Sequence, residues 1–177
     1  MEGKIIHELF HVASRHDADL RARLYRLIGF GPINSVEYPE DLRARRITNP
    51  DGVQTGWCIN VTNRNQSFPV VPILYASTAR YDPRKGGEFF NYLVFQLLVV
   101  TKSGERWQPK LVDGQPELLQ PRQVRGFFEQ VGSNTDYIIH PDEILAENFE
   151  RMARGETNLP TPRIVAEMKR VFAERRP

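Results

Sequence analysis

The pattern of apolar positions predicts a helix at the start of the chain. From residue 4 to about residue 28, apolar side chains recur at steps of three and four positions, which is the period of an amphipathic helix: Ile6, Leu9, Phe10, Ala13, Leu20, Leu24, Leu27 and Ile28. Gly29 and Gly31 follow and indicate where the helix stops. The pattern therefore predicts one continuous helix over this stretch.

The middle of the chain, residues 31 to about 120, is predicted to be rich in β-strands. Prolines and glycine pairs separate short runs of β-prone residues in this region. The best strand candidates are Thr55–Thr62, Val70–Ala76, Phe89–Thr101 and Glu105–Leu111. Lys102-Ser103-Gly104 is typical of a hairpin turn between the last two.

Helical patterns return in the last third. We expect a short helix from Pro121 to about Gln130 with Phe127 and Phe128 buried, and a longer one from Pro141 to about Arg154. A final helix is capped by Thr161-Pro162 and reaches Arg175. This order predicts an α+β fold, a single domain over residues 1–177 with helical (1–30), β-rich (31–120) and helical (121–177) segments.

Composition excludes several classes of protein. The 177 residues carry a net charge of +2, which gives no case for nucleic-acid binding. The single cysteine, Cys58, rules out an intrachain disulfide framework and a thiolate zinc cage. The most apolar run, Phe89 to Thr101, is too short to cross a bilayer. No signal peptide is recognisable, so localisation stays open, with the cytoplasm as the default expectation.

The strongest chemical signal is the run His7-Glu8-Leu9-Phe10-His11 in the first helix. Residues four apart lie one turn above each other, so His7 and His11 can present two imidazole nitrogens to one point. Neutral imidazole is a good zinc ligand. Glu8 lies beside that point, where it can act as general base towards a zinc-activated water.

A catalytic zinc site usually has a third protein ligand, and the near candidate is Asp17. The run from His7 through Ser14 to Asp17 resembles the metzincin pattern, except that Ser14 stands where that pattern has a turning glycine. In a continuous helix Asp17 lies about 9 Å beyond His11, too far to share one metal ion. His16 fails for the same reason.

The far candidate lies in the run from His140 to Phe149, where Glu143 and Glu147 are one helical turn apart. This run resembles the glutamate helix of the gluzincin (thermolysin-like) HExxH zinc metallopeptidases. The resemblance implies that Glu143 is the third Zn²⁺ ligand and that Glu147, in place of the usual aspartate, orients His7 or His11. The alternative is that both glutamates are solvated charges in the first turns of a helix.

Two further residues are candidates for the donor that stabilises the oxyanion, namely Tyr137 and His140, just before the glutamate helix. Each could instead have a structural role, Tyr137 packed in a strand and His140 capping a helix.

The chain also departs from the family. Glu143 follows His11 by 132 positions, and six residues precede His7, where zincins carry a substrate-binding sheet. Either the middle strands supply that sheet, or the chain is truncated and an N-terminal segment or partner chain completes the groove.

The sequence thus predicts a zinc-dependent peptidase that hydrolyses peptide bonds in peptide or protein substrates. The fold expected from the resemblance is a zincin-like pair of helices with a β-rich segment between them in the sequence. Two alternatives stay open. One is a non-catalytic, zinc-stabilised module derived from such an enzyme. The other is a structural α+β protein that binds no metal.

Overall fold

A computed structural model of the chain describes residues 2–51, 56–84 and 86–174. It is a mixed helix and sheet protein, as predicted. The helices are α1 (Glu2–His16), α2 (Ala18–Leu27), α3 (Glu40–Arg45), α4 (Phe127–Val131), α5 (Pro141–Ala153) and α6 (Pro162–Ala173). The strands are β1 (Phe30–Pro32), β2 (Trp57–Asn63), β3 (Gln66–Ala76), β4 (Leu93–Ser103), β5 (Arg106–Pro109), β6 (Leu111–Val112), β7 (Gln115–Pro116) and β8 (Leu118–Leu119).

The chain forms two compact units. The first combines Met1–Pro32 with Gly126–Pro177, and the second is Ile33–Arg125. In the first unit α1 packs against α5, α2 packs against α6, and α5 packs against α6. Among the apolar side chains of these helices, Phe10, Leu24 and Ile144 are fully buried. The helix that carries the two histidines therefore has its partner in the C-terminal part of the sequence.

The prediction of one helix from residue 4 to residue 28 is wrong, because the helix is broken at Asp17. The backbone of Asp17 is extended, with φ −127° and ψ 98°, and its carboxylate accepts a hydrogen bond from the amide of Leu20 (2.8 Å). Asp17 thus caps the N-terminus of α2, a role for which aspartate is one of the preferred residues. The apolar period continues across the break, so periodicity alone could not reveal it.

In the second unit, β2, β3, β4 and β5 are antiparallel neighbours in that order, and β8 also pairs with β4. One face of the sheet carries an apolar cluster formed with the segment around α3: Val36, Leu42, Cys58, Val71, Ile73, Tyr75, Leu98 and Val100. Burial raises the pKa of the Cys58 thiol to about 11. Cys58 is therefore an apolar core residue in this unit.

The strand predictions hold in part. The hairpin at Lys102-Ser103-Gly104 is confirmed: Ser103 pairs with Arg106, and Gly104 has the positive φ of 59° that the tight turn requires. The strand predicted from Phe89 begins at Leu93, because Phe89–Tyr92 forms a 3-10 turn with both phenylalanines exposed. Thr55, the predicted start of the first strand, lies outside the described residues.

The last two helices begin where predicted, at Pro141 and Pro162, but the helix predicted from Pro121 is wrong over its first half, because Pro121–Gln123 forms a 3-10 turn and α4 begins only at Phe127. Pro141 is the first residue of α5, and Gly155 follows that helix with φ 68°. The short helix α4 buries Phe127, whereas Phe128 is 38% exposed, so the prediction that both are buried is wrong for Phe128. Of the last helix, the predicted end at Arg175 lies outside the described residues. Among the residues the structure describes, no helix has the length and apolar character needed to span a membrane.

A buried polar network holds α5 to the segment before it and to the start of α6. The amide nitrogen of Asn134 donates to the side-chain oxygen of Asn148 (2.8 Å) and to the carbonyl of Thr161 (2.9 Å). The amide oxygen of Asn134 accepts from the backbone nitrogen of Thr161 (2.7 Å). Asn148 in turn donates to the carbonyl of Ile144 (2.7 Å). Because Asn134 and Asn148 are both buried, the network fixes α5 in one position.

We predict that Asn134→Ala lowers the free energy of unfolding by about 2–4 kcal/mol, because it leaves buried groups of Asn148 and Thr161 without partners. Urea unfolding followed by circular dichroism measures the change. The control is Ser133→Ala at the exposed neighbouring position, for which we expect a change within about 0.5 kcal/mol. An equal loss of unfolding free energy in the two variants would contradict a stabilising role for the hydrogen bonds of Asn134.

Candidate metal centre

The helices α1 and α5 run antiparallel. Near the C-terminus of α1, the hydroxyl of Ser14 donates to Oδ1 of Asp142 in the first turn of α5 (3.2 Å). About two turns earlier in α1, His7 lies beside Glu147, in the next turn of α5. Successive turns of the two helices therefore face each other, and the face of α1 that bears both histidines meets the face of α5 that bears Glu143.

Three side chains converge between these helices. The Nε2 atoms of His7 and His11 are 3.1 Å apart. The carboxylate of Glu143 reaches both, with Oε2 at 3.3 Å from Nε2 of His7 and Oε1 at 3.4 Å from Nε2 of His11. Among residues 2–51, 56–84 and 86–174, this is the one group of three histidine, cysteine or acidic side chains whose ligand atoms lie within 4.8 Å of one another.

These separations fit a small tetrahedral ion. Ligand atoms bonded to zinc at 2.0–2.2 Å in a tetrahedron lie about 3.3–3.6 Å from one another. The three observed distances, 3.1, 3.3 and 3.4 Å, are close to that range. Two imidazole nitrogens and one carboxylate oxygen are also a donor set found in catalytic zinc sites, where a fourth position stays open for water or substrate. The residues present therefore fit Zn²⁺.

Burial differs across the group. His11 is 1% exposed and Glu143 is 8% exposed, whereas His7 is half-buried. A carboxylate that is taken out of water is costly unless a positive partner compensates it, either an imidazolium or a bound cation. The group thus has a closed side at His11 and an accessible side at His7.

Glu8 lies on the solvent-exposed side of α1. It follows His7 in α1, which places it about 100° around the helix from that residue, and its side chain is exposed. The structure therefore leaves the predicted general base in contact with solvent, next to the first histidine.

Glu147 lies next to His7, not His11. Its Oε1 is 3.9 Å from Nδ1 of His7, the ring nitrogen that does not face Glu143. This separation is longer than a hydrogen bond. The side chain of Glu147 is 38% exposed, so a small rotation could bring the carboxylate to the imidazole N–H.

Tyr137 and His140 lie together before α5. Their ring centroids are 6.5 Å apart with the planes inclined at 30°. His140 is the residue at the N-terminal cap of α5, and the backbone amide of Tyr137 donates to the hydroxyl of Thr135 (3.0 Å). Both side chains are half-buried. They thus occupy the end of α5 that carries Glu143.

The near candidates for the third ligand are not in the group. His16 is the last residue of α1 and is exposed, and Asp17 caps α2. The distance along a continuous helix excludes His16, which lies in α1 with His11, but it does not apply to Asp17, because α1 ends at His16. The cap gives the structural reason for Asp17, whose carboxylate is bound to the amide of Leu20.

Asp142 is a residue of this region that the sequence analysis missed. It is 2% exposed, accepts a hydrogen bond from the hydroxyl of Ser14, and its carboxylate interacts with Tyr25, His11 and Arg21. Burial raises the pKa of its carboxyl group, and these interactions oppose the rise. Its position directly before Glu143 was the only signal available in the sequence.

The same contacts affect Tyr25. Burial, together with the neighbouring Asp142 carboxylate, raises the pKa of the Tyr25 hydroxyl well above its usual value. The hydroxyl therefore stays protonated beside the Asp142 carboxylate. Arg21, one turn before Tyr25 in α2, donates to the carbonyl of Ser14 (2.9 Å). The second helix is thereby linked to both helices of the candidate centre.

Comparison with protein-family models, with curated proteins and with solved structures finds no match to this chain.

We predict that the purified chain binds about one zinc ion and that Glu143→Ala weakens this binding by more than the roughly 10–100-fold caused by loss of an outer-shell partner. Elemental analysis and a competition titration with a chromophoric chelator measure both quantities. Glu150→Ala is the matched control, because Glu150 is also on α5 but pairs with Arg154 (3.0 Å). Parental zinc affinity in Glu143→Ala would show that the third ligand lies elsewhere.

Proposed function

We propose that the chain is a zinc-dependent peptidase that hydrolyses peptide bonds in peptide or protein substrates. His7, His11 and Glu143 bind the metal in this proposal, in a zincin-like arrangement of the gluzincin type. The observation that carries it is the convergence of two imidazole nitrogens and one carboxylate within 3.4 Å. Two of these residues belong to an H-E-x-x-H run, whose glutamate is the general base in zinc metallopeptidases.

Bound zinc lowers the pKa of a coordinated water towards neutrality and polarises the carbonyl group that is attacked. The remaining steps belong to side chains of this chain. The carboxylate of Glu8 takes up the proton of the attacking water and later passes it to the amine nitrogen of the leaving peptide. Its exposure supports this role, because the base must reach both the water and the substrate.

The exposure pattern supports access from one direction. His11 is closed off from solvent, His7 is half-buried and Glu8 is exposed. A substrate can therefore approach on the side of His7 and Glu8, while the protein holds the opposite side of the metal. This arrangement is the one a catalytic site needs, with three protein ligands and a reachable fourth position.

Three more side chains have supporting roles in the proposal. Tyr137 and His140, at the start of α5, are the donors we assign to the oxyanion that forms when water attacks the carbonyl. Glu147 orients His7 by accepting a hydrogen bond at Nδ1, which fixes the tautomer that leaves Nε2 free for the metal. The 3.9 Å separation between Glu147 and His7 supports this pairing over one with His11.

We predict that Glu8→Gln keeps zinc at the parental level and lowers the hydrolysis rate by about 10²–10⁴-fold, because the base is lost and no ligand is removed. Cleavage of a diverse peptide library, read by mass spectrometry, measures activity, and elemental analysis measures zinc. Asp19→Asn is the control, since it also removes one exposed carboxylate from the same unit.

Two results would contradict the proposal. Full activity in Glu8→Gln would refute the general-base role. A zinc-loaded parent that cleaves no peptide in the library would favour the non-catalytic zinc module instead.

A further inference from the structure

Beneath the candidate centre, three helices meet at one buried carboxylate. Asp142, in the first turn of α5, is 2% exposed. The hydroxyl of Ser14 in α1 lies 3.2 Å from its Oδ1 and 3.3 Å from the carbonyl oxygen of His11, so its single proton is shared between these two acceptors. The buried Tyr25 of α2 interacts with Asp142 as well. Asp142 is therefore bound to the same turn of α1 that carries His11.

Hydrogen bonding alone does not explain an aspartate at this position. Hydroxyl groups both donate and accept, so an asparagine of the same shape could also bind Ser14 and Tyr25. An aspartate adds a negative charge, and burying a charge is costly unless it is compensated. The charge of Asp142 interacts with His11, which is itself 1% exposed, and more weakly with Arg21. Of these two partners, only His11 belongs to the candidate centre, and an aspartate stabilises its imidazole better than an asparagine does when the ring is positively polarised.

An imidazole becomes positively polarised when its Nε2 atom binds a metal ion. The Nε2 atom of His11 is the one that faces His7 and Glu143. A carboxylate near the remainder of the ring then stabilises the bound form and limits rotation of the ring. For His7, the acidic residue of α5 nearest to the other ring nitrogen is Glu147, with Oε1 at 3.9 Å from Nδ1. Each histidine of the centre therefore has its own acidic residue on α5.

We infer that Asp142 is a positioning residue for the zinc site, which holds His11 in its metal-binding orientation through its charge and through Ser14. The inference rests on the proposed zinc site and assigns the outer partner of its buried histidine. Ser14 contributes by joining Asp142 to the backbone of α1 at His11, and Tyr25 contributes by fixing Asp142 from α2. The charge of Asp142 and the hydroxyl of Ser14 therefore both act on His11.

The test is Asp142→Asn, with two measurements that separate a positioning role from a purely structural one. Zinc affinity is measured by competition titration, and the melting temperature is measured on the metal-free protein. We expect zinc affinity to fall by about 10–100-fold, while the metal-free melting temperature is unchanged or higher because a buried charge is removed. A purely structural role predicts the reverse, a lower metal-free melting temperature with parental zinc affinity.

Tyr25→Phe is the matched control, because it removes the hydroxyl that interacts with Asp142 and leaves the charge of Asp142 in place. We expect it to bind zinc within about threefold of the parent, which is well below the effect of losing an outer-shell partner. The absorption spectrum of the Co²⁺-substituted protein gives a second readout. It should change in Asp142→Asn, since the orientation of His11 changes, and stay the same in Tyr25→Phe.

The outcomes also separate this inference from the proposed function. A parent that binds no zinc refutes both. A parent that binds zinc, together with an Asp142→Asn variant of equal affinity and unchanged Co²⁺ spectrum, refutes only the role of Asp142. If Asp142→Asn does not fold, Ser14→Ala decides the matter, because it removes the hydroxyl between Asp142 and the backbone of His11: a lower zinc affinity supports the inference, and parental affinity overturns it.

Discussion

The packing of α1 against α5 is the constraint on which the candidate centre depends. Neither helix has a complete ligand set, because His7 and His11 come from one and Glu143 comes from the other. The antiparallel alignment sets Glu143 opposite both histidines at 3.3 and 3.4 Å. A shift of one helical turn along the axis, about 5.4 Å, would separate the carboxylate from the imidazoles.

Buried polar groups fix this alignment more narrowly than apolar contacts could. At one end, the hydroxyl of Ser14 donates to Asp142, and further along α5, Asn148 accepts from Asn134. Apolar side chains can slide past one another with little loss, whereas a buried hydrogen bond is lost when its partner moves. We infer that these two networks set the register of α5. A metal site needs a fixed register, because its ligand atoms must all lie at bonding distance from one ion.

Periodicity and capping signals predicted the α+β class, most of the helices and the hairpin between β4 and β5. They could not show the break at Asp17, because the apolar period runs through it and the cap is a local hydrogen bond. They also assigned Leu9 to the apolar face of α1. In the structure Leu9 is 56% exposed, while His11 and Ser14 are buried. The face of α1 that meets α5 therefore combines polar residues with Phe10, which contacts Phe149 of α5, and a hydropathy pattern does not reveal its polar part.

The sequence could predict that the two histidines share one helix face, and that Glu143 and Glu147 share another, because residues four apart lie one turn above each other. That these faces meet could only be expected from a resemblance, since 132 positions separate His11 from Glu143. Asp142 could not be found in this way. Consecutive helical residues point about 100° apart, so the pattern that identifies Glu143 gives no role to its neighbour.

The zinc K-edge X-ray absorption spectrum of the purified, zinc-loaded chain tests the central claim most directly. The account predicts two imidazole ligands at about 2.0–2.1 Å, oxygen at about 2.0–2.2 Å and no sulfur in the first shell. A sulfur ligand at about 2.3 Å, or fewer than two imidazoles, would contradict it. So would a chain that takes up no zinc at all.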